Sequence, residues 1–340
     1  MGKKVLLVIA GLLAVLALSA CGSKSQESVR EQLAGKLEKL SGYKANATMT
    51  LSMGAKPQVY KVEIWHKDPS YYRVNLKNAK KDQSQMILRN DEGVFVLTPA
   101  LKKSFRFQSD WPKNSSQAYL YESLVKDIVA DKEAKFSSTK DYYVFETKTR
   151  YQNNQMLPTQ EIKLNKKDLS PAIVRVMDAD RNALVTVEFS KVKFNANFDK
   201  DDFEMKKNMT RAQIGMPVMA EAGKQDTSFT VKYPAEQLEG VSLQKEKEVA
   251  IEDGKRVILT YGGAKTFTLI QEKRVVEPAS ASYPIDMNGE PVDLGFTVGA
   301  LTNHTLSWSQ DGVDYMIASN DLTKDEMASL AMSVQGEMSK

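Results

Sequence analysis

One residue type in this sequence stands out for its chemistry. Cys21 is the single cysteine among 340 residues, and a thiol serves as nucleophile, metal ligand or acylation site. A lone cysteine excludes a disulfide within the chain and any thiolate metal cluster. What precedes Cys21 assigns its use. Met1 to Lys4 is short and basic, Val5 to Leu18 is apolar and uncharged, and Ser19 and Ala20 are small. That order is a secretory signal over residues 1–20. Its apolar run of about 14 residues falls short of the ~20 that span a bilayer.

Other candidate groups carry less. His66 beside Lys67-Asp68 offers a general base, yet the Trp-His-Lys-Asp-Pro context reads as a turn corner. His304 reads as decoration of a loop or strand edge. Asp199, Asp201 and Asp202 gather three carboxylates, but a calcium loop needs further spaced oxygens and a glycine. The residues that follow hold Phe203 and Met205 and no glycine, so a solvated turn is expected. Glu161 and Glu188 fall on separate strands, and no glycine-rich phosphate loop precedes a helix. The sequence therefore predicts no catalytic residue, no metal site and no cofactor. Lys+Arg 47 against Asp+Glu 43 becomes 45 against 43 once Lys3 and Lys4 leave with the signal. Such a balance gives no footprint for nucleic acid and no strong pull toward anionic lipid.

The elements that hold these residues follow from periodicity. Val29, Leu33, Leu37 and Leu40 recur at helical spacing and end at Ser41-Gly42. From Tyr43 the period becomes two, and six short strands run to Phe107 with turns such as Asn90–Gly93, which argues an antiparallel meander. Asn114 to Ser116 is placed to cap a second helix carrying Leu120, Leu124 and Ile128. Trp111-Pro112 lies just before it, as an exposed turn or as a packed helix-entry anchor. Strands resume at 141–150, 160–164, 172–178 and 183–193. Residues 207–226 lose periodicity and read as a linker. A second unit follows over 227–340, with strands at 229–233, 257–261, 266–271, 305–308 and 315–318. Asp253-Gly254 and Asp311-Gly312 are hairpin signals, and Thr323 to Glu326 is a capping box.

Two resemblances follow from these residues. Leu18-Ser19-Ala20-Cys21 resembles the bacterial lipobox, which implies cleavage before Cys21 and acylation there with chains such as palmitate. Two or more acyl chains hold a protein on a membrane stably, and residues 21–27 would form a polar tether. The chain would then be an extracytoplasmic, lipid-anchored protein of the cell membrane. The segments Trp65 to Val74 and Gln85 to Pro99, with a helix after them, resemble the LolA-like superfamily of lipoprotein carriers, in the sporulation and germination branch of spore-forming Gram-positive bacteria. Trp308 to Tyr315 and the Thr323 helix are similar to a small extracytoplasmic domain appended in that branch.

The resemblance implies an α+β fold. A curved, incomplete antiparallel barrel over residues 28–206, covered by helices, precedes a smaller α+β domain. It implies a hydrophobic ligand, a lipid or acyl chain, lined by Tyr60, Trp65, Tyr72, Met86, Leu88, Phe95, Leu97, Phe105 and Phe107. Arg73 matches the strand arginine that hydrogen-bonds the lid. The alternative is a non-catalytic protein that positions or activates a spore-envelope or peptidoglycan enzyme, with a barrel filled by its own side chains. A tethered chain cannot shuttle freely, which sets it apart from the soluble carriers.

Overall fold

The computed structural model describes residues 24–53, 56–79, 84–99, 102–112, 115–151, 156–214, 228–251, 254–274, 284–287 and 289–336. Cys21, the expected signal and Asp253 lie outside them. Helix α1 (Gln26–Glu38) starts where the Ser25 side chain accepts the Ser28 N–H, and it buries Val29 and Leu33. The expected meander follows as β1 (Gly42–Leu51), β2 (Gln58–Lys67), β3 (Tyr71–Asn78), β4 (Ser84–Asn90), β5 (Gly93–Thr98) and β6 (Lys103–Phe107).

Helix α2 (Tyr121–Ala130) begins later than expected, and its N-cap Leu120 makes no side-chain bond. Ser116 is turned inward instead. Its hydroxyl donates to Asp127 and accepts the Arg150 N–H. Strands β7 (Lys135–Ser138), β8 (Tyr142–Lys148), β9 (Thr159–Asn165), β10 (Pro171–Met177) and β11 (Ala183–Phe194) complete the first run. Where a linker was expected from 207, a helix runs first, α3 (Met205–Ile214). Residues 215–227 lie outside the described set.

Beyond them come β12 (Tyr233–Pro234), β13 (Val241–Ile251), β14 (Gly254–Gly263), β15 (Phe267–Arg274), β16 (Ile285–Asp286), β17 (Glu290–Asp293), β18 (Val298–Leu301), β19 (Thr305–Gln310) and β20 (Val313–Ala318). Helix α4 (Lys324–Ser333) carries the expected capping box, Thr323 and Glu326 each satisfying the other's backbone N–H. Strand β21 (Val334–Gly336) pairs with β12. The strand expected at 229–233 is thus reduced to β12. Strand β13 escaped the period-two reading because Lys245 to Glu248 are all charged. It is an edge strand, where charge guards against stray pairing.

One sheet has twelve strands in the order β16-β6-β5-β4-β3-β2-β1-β11-β10-β9-β8-β7, curved and open, with β16 and β7 at its edges. A second has seven, β13-β14-β15-β20-β19-β18-β17, and β12-β21 form a third of two strands. Strand β16 comes from the second half of the chain yet pairs in parallel with β6 of the first sheet. At the β19–β20 hairpin, Asp311 and Gly312 both take positive φ, as a two-residue turn of this kind requires.

The period-two strands put one face of the twelve-stranded sheet against α1, α2 and the second half of the chain, in a single apolar cluster. Strands β4 and β5 depart from the alternation. Met86 to Leu88 and Val94 to Leu97 are buried on both faces, because α3 lies across the opposite side. A strand covered twice reads as a continuous apolar run.

Candidate functional site

The nine residues expected to line one cavity are divided between the two faces of the sheet. Tyr60, Tyr72, Phe105 and Phe107 belong to the large inner cluster. Trp65, Met86, Leu88, Phe95 and Leu97 lie on the other face, against Phe203, Met205 and Met209. This corrects the expectation of one lining. Side chains at even and odd positions of a strand point to opposite faces. Leu88 pairs with Phe95 and Met86 with Leu97, so this foursome shares a face that Val94 and Val96 do not.

Arg73 stands at the edge of the α3 cluster. Its Nε donates to Asn208 Oδ1 of α3 at 2.8 Å, and Nη1 pairs with Glu63 Oε2 at 2.7 Å. The guanidinium lies 4.3 Å from the centre of the Trp65 ring. Lys44 Nζ sits 3.9 Å from the same ring. An arginine fork that stacks and makes two directed bonds fixes geometry in a way a lysine does not. Arg73 therefore ties a covering helix to the sheet, on the face away from α1 and α2. Asn90 helps by donating to the Phe203 carbonyl at 3.0 Å.

The inner face is filled. Trp111, Tyr43, Tyr119, Tyr121, Phe107 and Phe145 are among its fully buried large side chains. Trp111 is thus the packed anchor, set edge-on to Tyr72. Tyr43 Oη donates to Glu122 Oε2 at 2.9 Å and accepts the Tyr121 N–H at 3.0 Å. Burial, with the Glu122 charge beside it, pushes the Tyr43 phenol well above its ordinary range. His66 corrects the turn expectation. It lies inside β2, is buried, stacks on Tyr72 at 4.5 Å and bonds the Tyr71 carbonyl through Nδ1. His304 is exposed, as expected. Asp201 pairs with Lys207, and Asp202 accepts the Asp199 N–H and faces Arg211. Glu161 pairs with Arg175 and Lys163.

The second half of the chain closes over this inner face. Lys103 Nζ meets Asp314 Oδ2 at 2.7 Å, Arg106 Nε meets Asp286 Oδ1 at 2.6 Å, and Tyr119 Oη donates to Asp293 Oδ2 at 2.9 Å. Burial raises the Asp293 carboxyl to about 6, while the Gly295 N–H and the Tyr119 hydroxyl restrain the rise. Two crevices remain along the seam. One of about 100 Å³ lies between Tyr60, Leu76 and Phe296. The other, about 200 Å³, lies between Phe105, Phe107 and Trp308, with Ile285 at its side. Residues 285–300 were missed as site residues, because their strands are two to four residues long and carry too little pattern to read.

A family model described as sporulation protein YdcC-like matches residues 3–203. The chain is 57% identical over 338 residues to sporulation protein YdcC of Bacillus subtilis, covering 99% of this chain and 98% of that one. Among solved structures, the MucA/MucB complex of Pseudomonas aeruginosa aligns at TM-score 0.31 and 14% identity, over 87% of this chain and 97% of that chain. A LolA superfamily protein from Nitrosomonas europaea aligns at TM-score 0.31 and 13% identity, over 54% of this chain and 100% of the other. The chain belongs to the YdcC-like family of sporulation proteins.

Proposed function

We propose that the protein is a non-catalytic, exported binding protein, held on the outer face of a membrane by lipid on Cys21, that docks a protein of the sporulating envelope. The observation that carries this reading is the filled inner face. Aromatic side chains of the first sheet pack with Phe296 and Leu301 of the second half in one buried cluster on that face. The seam crevices of about 100 and 200 Å³ are smaller than the ~300–1,000 Å³ of pockets that bury a drug-sized ligand. The groups with catalytic chemistry support the same reading. His66 and Glu122 are sealed in the core, and the carboxylates of Asp201 and Glu161 are paired.

The test is made in sporulating cells. Photo-crosslinking side chains are placed at Val129 and Ile285, both exposed large apolar positions. The expected result is a discrete adduct with one envelope protein, and release of the Cys21→Ser variant from the membrane fraction. Recovery of uncrosslinked monomer alone would overturn the docking reading. Membrane retention of Cys21→Ser would overturn the anchor.

A further inference from the structure

The larger seam crevice has features that packing alone does not account for. Its apolar walls are Phe105 and Phe107 from β6, Val298 and Ala300 from β18, and the rings of Trp308 and Tyr315, with the Lys103–Asp314 ion pair, Gln85 and two serines also in the lining. Ile285, half exposed, marks the side open to solvent. A void of roughly 150 Å³ with such walls holds a benzene, so about 200 Å³ suits a group between benzene and indole in size.

The polar atoms define the ligand further. Trp308 is 4% and Tyr315 2% exposed. Neither Trp308 Nε1 nor Tyr315 Oη has a hydrogen-bond partner among the described residues. Buried donors are almost always paired, and an unpaired one costs what a lost hydrogen bond costs. The two rings stack 5.1 Å apart and nearly parallel, at 8°, which fixes both atoms relative to each other. An indole N–H only donates, and a phenol O–H donates readily. Their common complement is an acceptor oxygen.

We propose that this crevice is a binding site for a compact apolar molecule of benzene to indole size that carries one hydrogen-bond-accepting oxygen, held by Trp308 Nε1 and Tyr315 Oη. The site goes beyond the docking of an envelope protein and does not depend on it. The β6 and β18 walls supply the apolar contact, and the stacked pair orients the oxygen.

The chain has three tryptophans, so the ¹⁵N-labelled protein starting at Gly22 gives three indole N–H resonances, assigned by single Trp→Phe substitutions. Acetophenone is titrated in, and ethylbenzene, which lacks the oxygen, in parallel. The expected result is a saturable downfield shift of the Trp308 resonance with acetophenone, while Trp65 and Trp111 stay in place. Ethylbenzene should bind at least roughly tenfold more weakly, since it forfeits both hydrogen bonds. Ala300→Leu narrows the crevice and should abolish the shift. Should that variant fail to fold, Ile285→Lys at the exposed mouth should weaken it in a folded protein. No saturable shift at Trp308, an equal shift of all three resonances, or equal affinity for ethylbenzene would overturn the proposal. The first of these is also what a buried water on the two donors would give. None of these readouts involves an envelope partner, so this site and the docking reading fail separately.

Discussion

At the scale of single residues, the buried charges show how the fold is specified. Asp127 is 2% exposed, and its carboxylate accepts from Ser116 Oγ at 2.8 Å, Arg150 Nε at 2.5 Å and Gln160 Nε2 at 2.7 Å. These donors join the start of α2's approach, β8's exit and β9. Asp127→Ala removes the acceptor from the buried Ser116 and Gln160 donors and the ion pair from Arg150, so a loss of about 3 kcal/mol is expected in urea unfolding. A change within 0.5 kcal/mol would mean that solvent already serves those groups. Asp293 sets a pH dependence. Its folded carboxyl titrates at about 6 rather than 3.8, so the folded state holds the proton that the unfolded chain releases. Stability from this group is full below 3.8 and falls as pH rises to about 6. The window converts at ~1.4 kcal/mol per pH unit to about 3 kcal/mol. The expected outcome is that the stability of the Asp293→Asn variant relative to the parent rises between pH 4 and pH 7, measured by denaturant unfolding at each pH. Neither contact was legible in the sequence. Asp127 looks like a polar position on an amphipathic helix, and only the fold brings β8 and β9 to it. The acylation expected at Cys21 rests instead on the residues next to it in the chain, and Cys21 lies outside the described residues.

At the scale of elements, the period-two reading located strands better than faces. It found β1 to β6 and the β19–β20 hairpin, since alternation and turn residues are local signals. It placed Leu88 and Phe95 with Tyr60 and Tyr72 because apolar runs of three and four residues carry no phase. Only α3 explains that run, and α3 itself looks like linker, with Lys206, Lys207 and Arg211 outnumbering its buried methionines. Its anchors are consequently the test of the assignment. Leu88 is fully buried on the α3 side, so Leu88→Ala should cost about 2–5 kcal/mol. Hydrogen exchange in α3 should accelerate more than in α1. Equal acceleration of α1 and α3 would place Leu88 in the inner cluster.

At the scale of the whole molecule, the two halves of the chain share one apolar cluster and one strand pairing, β16 on β6 within the twelve-stranded sheet. Gly295 shows how close the halves approach. It takes φ +80°, and a Cβ there would lie 3.2 Å from Leu51 Cδ2. Gly295→Ala should destabilise the protein by about 1 kcal/mol or more through that conformation alone. Fluorescence of Trp111 and of Trp308, in variants keeping one or the other, should report the same shifted midpoint. Separate midpoints would mean that the halves unfold independently. On the proposed function, the protein's own side chains fill the half-barrel, and it serves partners as a surface and carries no lipid. Native mass spectrometry of the chain starting at Gly22, after incubation with total membrane lipid, measures this. A folded protein at the mass of the polypeptide is expected. One phospholipid or lipoprotein acyl group retained per chain would contradict it.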